Sequence, residues 1–190
     1  MKPPPRPSPL QSLVADPAQL STSHLPSLQS LALQVHHNLQ YQHSWSALRV
    51  HSHSPLTNEL LPRPLISGLP TKRLYVHPDE QIELLKQADR RRKAEDKDGG
   101  GNNVLDIRTE PEREWLLPTR LGEEWTLHRL SDVFDTISLV PPSAEPEDSA
   151  SDRPANPWRT TKRVVLATVS PDSTVVYYIV QDELVKPRQN

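Results

Sequence analysis

Two apolar runs dominate the hydrophobic pattern. Lys162 to Val169 and Thr174 to Val180 are rich in β-branched and aromatic residues and flank Ser170-Pro171-Asp172-Ser173, the pattern of a β-hairpin. Pro171 pre-sets φ for the first central position of a type I turn, and Ser170 can bond back to the turn amides. Both strands are apolar on both sides. Val164 and Leu166 alternate with Val165, Ala167 and Val169, while Val175, Tyr177 and Ile179 alternate with Val176, Tyr178 and Val180. A run apolar on both sides belongs in the middle of a sheet, with covering elements above and below. The hairpin is therefore expected to be the buried spine of the fold.

Covering elements are found upstream. Leu28, Leu31, Ala32, Val35 and Leu39 form one helical stripe opened by Pro26, which predicts a helix from about Pro26 to Tyr41. Trp45 to His51 alternates as a strand, and Arg73 to His77 reads as a short strand. Between them, Pro55 to Pro70 contains four prolines and reads as an irregular loop. Pro78-Asp79-Glu80 opens a second helical pattern that closes on Arg90-Arg91-Arg92-Lys93, charges that suit the helix dipole. Its apolar content is thin, so this helix is expected at the periphery. Glu114 to Leu121 reads as a strand. Thr126 is a candidate N-cap, with Trp125 and Leu130 as a hydrophobic staple across it. Leu127, Leu130, Val133, Phe134 and Ile137 make the second covering stripe. The order predicts an α+β fold, a small mixed or antiparallel sheet with covering helices and a buried hairpin at its end.

Composition narrows this to part of the chain. Of 190 residues, 21 are proline and only 34% are hydrophobic, so the core must come from a subset. Residues 1–19 read as a disordered proline-rich tail. Residues 20–190 read as one domain, interrupted by flexible segments at 93–110 (charges, then three glycines) and 140–157 (acidic, with Pro and Ser). There is no cysteine, hence no disulfide frame and no thiolate chemistry, which suits a reducing compartment. The start lacks an apolar signal region, and no run is long enough to span a bilayer. A formal charge of −2 gives no overall pull towards nucleic acid.

Candidate chemistry is sparse. His51-Ser52-His53 and His36-His37 invite a metal reading, but no third ligand completes a tetrahedral set at a recognised spacing. Five glycines leave no P-loop, dinucleotide loop or G-x-S-x-G elbow. Ser170, Ser173 and Thr174 are turn residues, and His128 reads as exposed on its helix. Lys162 and Arg163, near Arg159, form a small basic cluster able to touch RNA phosphate. Arg90 to Lys93 runs straight into acids and reads as a helix terminus rather than an RNA site. No catalytic, cofactor or metal residue is assigned.

Several segments together resemble a known family. Asp172-Ser-Thr-Val-Val-Tyr-Tyr178, after Lys162-Arg-Val-Val-Leu-Ala-Thr-Val169 and before Leu184-Val185-Lys186-Pro187, is similar to the end of the small non-catalytic subunit of the eukaryotic tRNA-splicing endonuclease, subunit fifteen of the SEN complex. Gln34 to Leu39, Leu74 to Glu80 and Glu114 to Thr119 resemble a fungal version. The resemblance covers roughly Leu28 to Gln189. It implies a tRNA-endonuclease-like domain that acts in the nucleus with three other subunits. Catalytic relatives use a tyrosine, a histidine and a lysine. Here Glu112 or Arg113 stands where the histidine would fall, Lys162 or Arg163 stands near the lysine, and no tyrosine motif matches.

The resemblance thus implies a scaffold that is not an enzyme. Its expected interface is Ser170, Pro171, Asp172, Ser173 and Tyr177 with the tail Leu184, Val185, Lys186 and Pro187. Its expected partners are other endonuclease subunits, most directly a catalytic one, with precursor tRNA contacted indirectly and no membrane; a homodimer of the isolated chain is left open. Two rival readings remain: a metal-independent ribonuclease using Lys162 with His128 or a tyrosine, and an RNA-binding module.

Overall fold

A computed structural model describes residues 24–95, 109–142 and 156–183, together with Ser8 and Gln11. Apart from Ser8 and Gln11, the expected proline-rich tail (1–19) lies outside the described residues, as do the end strand from Leu184 to Pro187 and most of the two expected linkers. The elements are α1 (Pro26–Tyr41), β1 (Ser46–His53), β2 (Leu60–Leu69), α2 (Pro78–Glu95), β3 (Glu114–Arg120), α3 (Leu127–Thr136), β4 (Arg163–Val169) and β5 (Val175–Gln181). The five strands form one sheet in the order β1-β2-β3-β4-β5. Neighbours are antiparallel except β3 and β4, which run parallel and are joined across α3. The expected α+β class is thus observed.

Strand alternation divides the core into two layers. Leu116, Val165, Ala167 and Val169 point to one face and meet Leu31, Ala32, Val35 and Leu39 of α1. Trp115, Leu117 and Val164 point to the other and meet Val133 and Phe134 of α3, with Ile137 beyond its end. Trp115 is wholly buried, and its indole N–H donates to the Ser138 carbonyl at 3.0 Å. As the capping pattern predicted, the Thr126 hydroxyl accepts from the Arg129 amide at 3.3 Å. Trp125 and Leu130 both lie against the core beside it.

Three expectations are corrected. Residues 60–69 of the expected loop Pro55–Pro70 form β2. Its prolines are tolerated because of where they fall. Pro62 and Pro64 sit where the pairing with β1 skips from His53↔Leu60 to His51↔Leu65, and β3 pairs only with Ile66, Ser67 and Gly68. Neither proline therefore costs a regular ladder bond. Arg73 to His77 is not a strand. That stretch instead carries Arg73 and Tyr75 towards a cluster of buried charges. Finally, β4 is enclosed as expected, but β5 is an edge strand rather than part of a buried spine. The helices cover the centre of the sheet and leave Val176, Tyr178 and Ile179 exposed.

The charge cluster lies where β3 and β4 begin. Glu114, about 1% exposed, accepts from Arg163 Nε at 3.0 Å and pairs with Arg159 Nη2 at 3.2 Å. Glu112 pairs with Arg73 and Arg163, each at 2.7 Å, and with Arg159 at 3.2 Å. Arg73 also grips Glu80 of α2 through both nitrogens, at 2.7 and 3.0 Å. Burial pushes the Glu112 carboxyl up, but Arg73, the Asn156 amide, Arg163 and Arg159 outweigh it and hold its pKa below the usual value. The stabilisation this carries is present above the ordinary carboxyl range and lost as pH falls through the lowered pKa. Among the described residues no helix or strand packs substantially on α2, which is peripheral as expected.

Removing the central carboxylate tests this arrangement. Glu114→Gln leaves Arg159 and Arg163 short of a buried counter-charge and is expected to destabilise the fold by about 3–5 kcal/mol, read as a lowered urea midpoint.

Candidate interaction edge

The edge presented by β5 follows from its composition and position. Val175 to Val180 contains no charge or proline and its pairing with β4 has no bulge, the devices by which exposed sheet edges are usually blunted. Its inner side is fully paired with β4 from Val169↔Val175 to Arg163↔Gln181. Its outer side has no strand beside it among the described residues. Alternation sends Tyr177 towards α1, where its hydroxyl donates to Asn38 Oδ1 at 2.6 Å and burial pushes its pKa up. Tyr178 points the other way and is 57% exposed, beside Val176 and Val180 on the same face. A groove of about 410 Å³ continues that face between α3 and the end of β5. Leu127, Leu130, Phe134 and Val180 line it, with Asp182 and Glu183 at its end.

The hairpin turn closes the other end of the edge. Ser173 N donates to Ser170 O at 3.0 Å, and Ser170 N donates to Thr174 O at 2.9 Å. Ser173 has φ of 69°, so the type I turn that Pro171 favours is followed by a left-handed residue, a common three-residue hairpin connection. The Thr174 amide, bonded to Asp172 at 3.0 Å, holds that carboxyl below its usual pKa. Pro171, Asp172 and Ser173 are exposed. Of the expected interface residues, the structure thus places Ser170 to Ser173 together at one end of the edge and turns Tyr177 inward. Val176, Tyr178 and Ile179, which sequence reasoning did not select, are the exposed apolar residues. Their signal was the two-sided apolar pattern itself, which reads alike for a central strand and for an edge awaiting a neighbour.

The residues of the nuclease reading are arranged otherwise. Lys162 Nζ donates to the Phe134 carbonyl at 2.7 Å, capping the end of α3. His128 is 88% exposed in the first turn of the same helix, about 9 Å of helix rise from Phe134. Arg163 is buried between Glu112 and Glu114, with its guanidinium over the Tyr75 ring at 5.5 Å. Arg113 donates to the Ala47 carbonyl at 3.1 Å and to Ser67 Oγ at 3.2 Å.

One serine–histidine contact is present. His51 Nε2 lies 2.8 Å from Ser67 Oγ, but Ser67 is wholly buried, out of reach of any substrate. Because Arg113 donates to that oxygen, the serine proton is free to go to a neutral imidazole. Burial first, then Arg49 and Arg113, push the His51 pKa down to about 4. Among the described residues no three histidine or carboxylate side chains gather as a metal site, and no helix is long and apolar enough to cross a membrane.

An open mixed sheet with one helix on each face and an uncharged apolar edge defines the class as a small α+β domain. The chain belongs to the family described as Sen15 protein, whose model matches residues 34–190. It is also 43% identical over 169 residues to the probable tRNA-splicing endonuclease subunit tsp-1 of Neurospora crassa, covering 86% of this chain and 67% of that relative.

His51 sets a pH dependence. Its folded pKa lies below the ordinary 6.5, so the stability it carries is complete above pH 6.5 and declines as pH falls towards 4. His51→Gln is expected to flatten the fall in melting temperature between pH 6.5 and 5.5, above the range in which the carboxylates titrate.

Proposed function

We propose that this chain is a non-catalytic subunit of the tRNA-splicing endonuclease, one that supports intron excision from precursor tRNA by holding a catalytic subunit along β5, the hairpin turn and the tail after Glu183. The observation that carries the reading is the uncharged β5 edge with Val176, Tyr178 and Ile179 exposed. An edge of this kind offers unpaired backbone groups to an incoming strand, and its side chains supply the contact area. The relationship to a protein named as an endonuclease subunit supports the choice of complex. The family resemblance implies a nuclear location.

Two further observations favour a scaffold over an enzyme. Glu112 and Arg113, which stand where the resemblance places the catalytic histidine, are both engaged in structural bonds, the first to three arginines and the second to Ala47 and Ser67. Lys162 is committed to a helix terminus rather than turned towards a base or tyrosine. The same open edge would let a second copy supply the missing neighbour, which extends the proposal to a homodimer of the isolated chain.

Two variants test the interface without touching the core. Tyr178→Glu with Val176→Lys places charges on exposed positions and is expected to leave the melting temperature nearly unchanged. Partner recovery from a tagged chain should fall by about 30-fold or more, the effect of losing a hot-spot contact of about 2 kcal/mol. Truncation after Asp182 should weaken recovery separately if the tail takes part. Undiminished recovery of the other subunits by the double variant would move the interface elsewhere. Failure of the intact chain to recover any endonuclease subunit would overturn the assignment.

A further inference from the structure

The peripheral helix α2 has a division of faces that packing does not explain. Glu80, Leu84, Ala88 and Arg92 follow one another at intervals of four and form its protected stripe. At 100° per residue, Lys86, Arg90 and Lys93 lie together on the opposite side, exposed. Between Lys86 and Lys93 there are five cations and the single carboxylate of Asp89, whereas the charges of residues 79–83 are all acidic. Asp89 is shared by Arg92 at 2.9 Å and Lys93 at 2.7 Å. Lys86 and Arg90 have no ion-pair partner among the described residues. Arg63, Arg73, Arg129, Arg159 and Arg163 in the body are each paired with a carboxylate.

Helix-dipole compensation accounts for Arg92 and Lys93 in the last turn, but the effect fades within that turn and does not reach Lys86 or Arg90. We infer that the outer face of α2, formed by Lys86, Arg90 and Lys93, is a contact for the phosphate backbone of precursor tRNA. A protein partner would require an apolar centre among the cations, whereas the exposed apolar residues of α2, Ile82 one turn before Lys86 and Leu85 to one side of it, do not lie between the cations. An unstacked single strand would call for interleaved aromatics, which are missing from the stripe. What remains is a row of cations on a helix that stands off the sheet and is fastened at its first turn through Glu80 and Arg73. Such a row suits the phosphates of folded RNA. The inference rests on the splicing role proposed above for the choice of RNA, and it gives the subunit a direct substrate contact.

The test uses the full chain and an in-vitro-transcribed, intron-containing precursor tRNA, with binding followed by fluorescence anisotropy from 50 to 200 mM salt. Three phosphate contacts should cost the wild-type chain about 20- to 40-fold in affinity across that range. The variant Lys86→Gln/Arg90→Gln/Lys93→Gln should show a log–log salt slope shallower by about 2–3, at an unchanged melting temperature. In the assembled endonuclease the same variant should raise KM for precursor tRNA with kcat retained. Equal slopes for the two chains, free and assembled, would overturn the inference. Loss of a subunit from the variant complex would also overturn it, by assigning the helix to an acidic protein surface. Recovery of subunits by the wild-type chain tests the splicing role separately, so failure of that reading and failure of this contact are distinguishable.

Discussion

The carboxylate of Glu114 is the constraint on which the domain is assembled. It is buried at the start of β3 and held between Arg159 and Arg163, and so fixes where β3 and β4 begin relative to each other. Among the described residues those two strands form the sheet's only parallel pair, in register from Trp115↔Val164 to Arg120↔Val169. The register places Leu116 and Val165 under α1 and Trp115 and Val164 under α3. A one-residue slip would reverse every one of those assignments. Because the buried charges are paired in both directions, the cluster specifies alignment more than it adds stability.

That alignment also determines what is left uncovered. Among the described residues each face of the sheet carries a single helix, and α3 has only ten residues, about 15 Å of length. It reaches Phe134 and Leu130 over β4 but does not extend across Tyr178 and Val176. The apolar edge is thus a consequence of a core complete at β4 and a strand that continues beyond it. An edge without charge, proline or bulge carries an aggregation hazard in a free protein. Its persistence is easiest to understand if a neighbour covers it for most of the chain's lifetime, and a bound neighbour would also stabilise the fold by mass action.

The elements most legible in the sequence were those whose signal is local. Helix α1 was readable from Leu31, Val35 and Leu39 with Pro26 ahead of them, α3 from Thr126 and its stripe, and the hairpin from Ser-Pro-Asp-Ser between apolar runs. Strand β2 was hidden because proline disfavours regular ladders, and only the pairing map shows that Pro62 and Pro64 fall at an irregularity. The charge cluster was not legible at all. Its members, Arg73, Glu112, Glu114, Arg159 and Arg163, are dispersed over some ninety residues, and nothing local distinguishes them from solvated surface charges. Tyr177 and Tyr178 could be assigned to opposite sides, but which side faces outward depends on where the helices end.

The same limit applies to positive charge. A count of basic residues treats Arg163 and Arg90 alike, and at −2 overall the chain offers no electrostatic hint of a polyanion partner. Folding separates them. Arg163 loses its solvent and gains two carboxylates, so its charge is spent on holding β4 in place. Arg90 keeps its solvent and stands on a helix that no sheet strand supports, so its charge stays available to a ligand. Net charge therefore understates how strongly a small domain can attract RNA when its acids are drawn into the core beside their own arginines. Local free charge, read after the internal pairs are removed, is the better guide to where a polyanion could dock on such a domain.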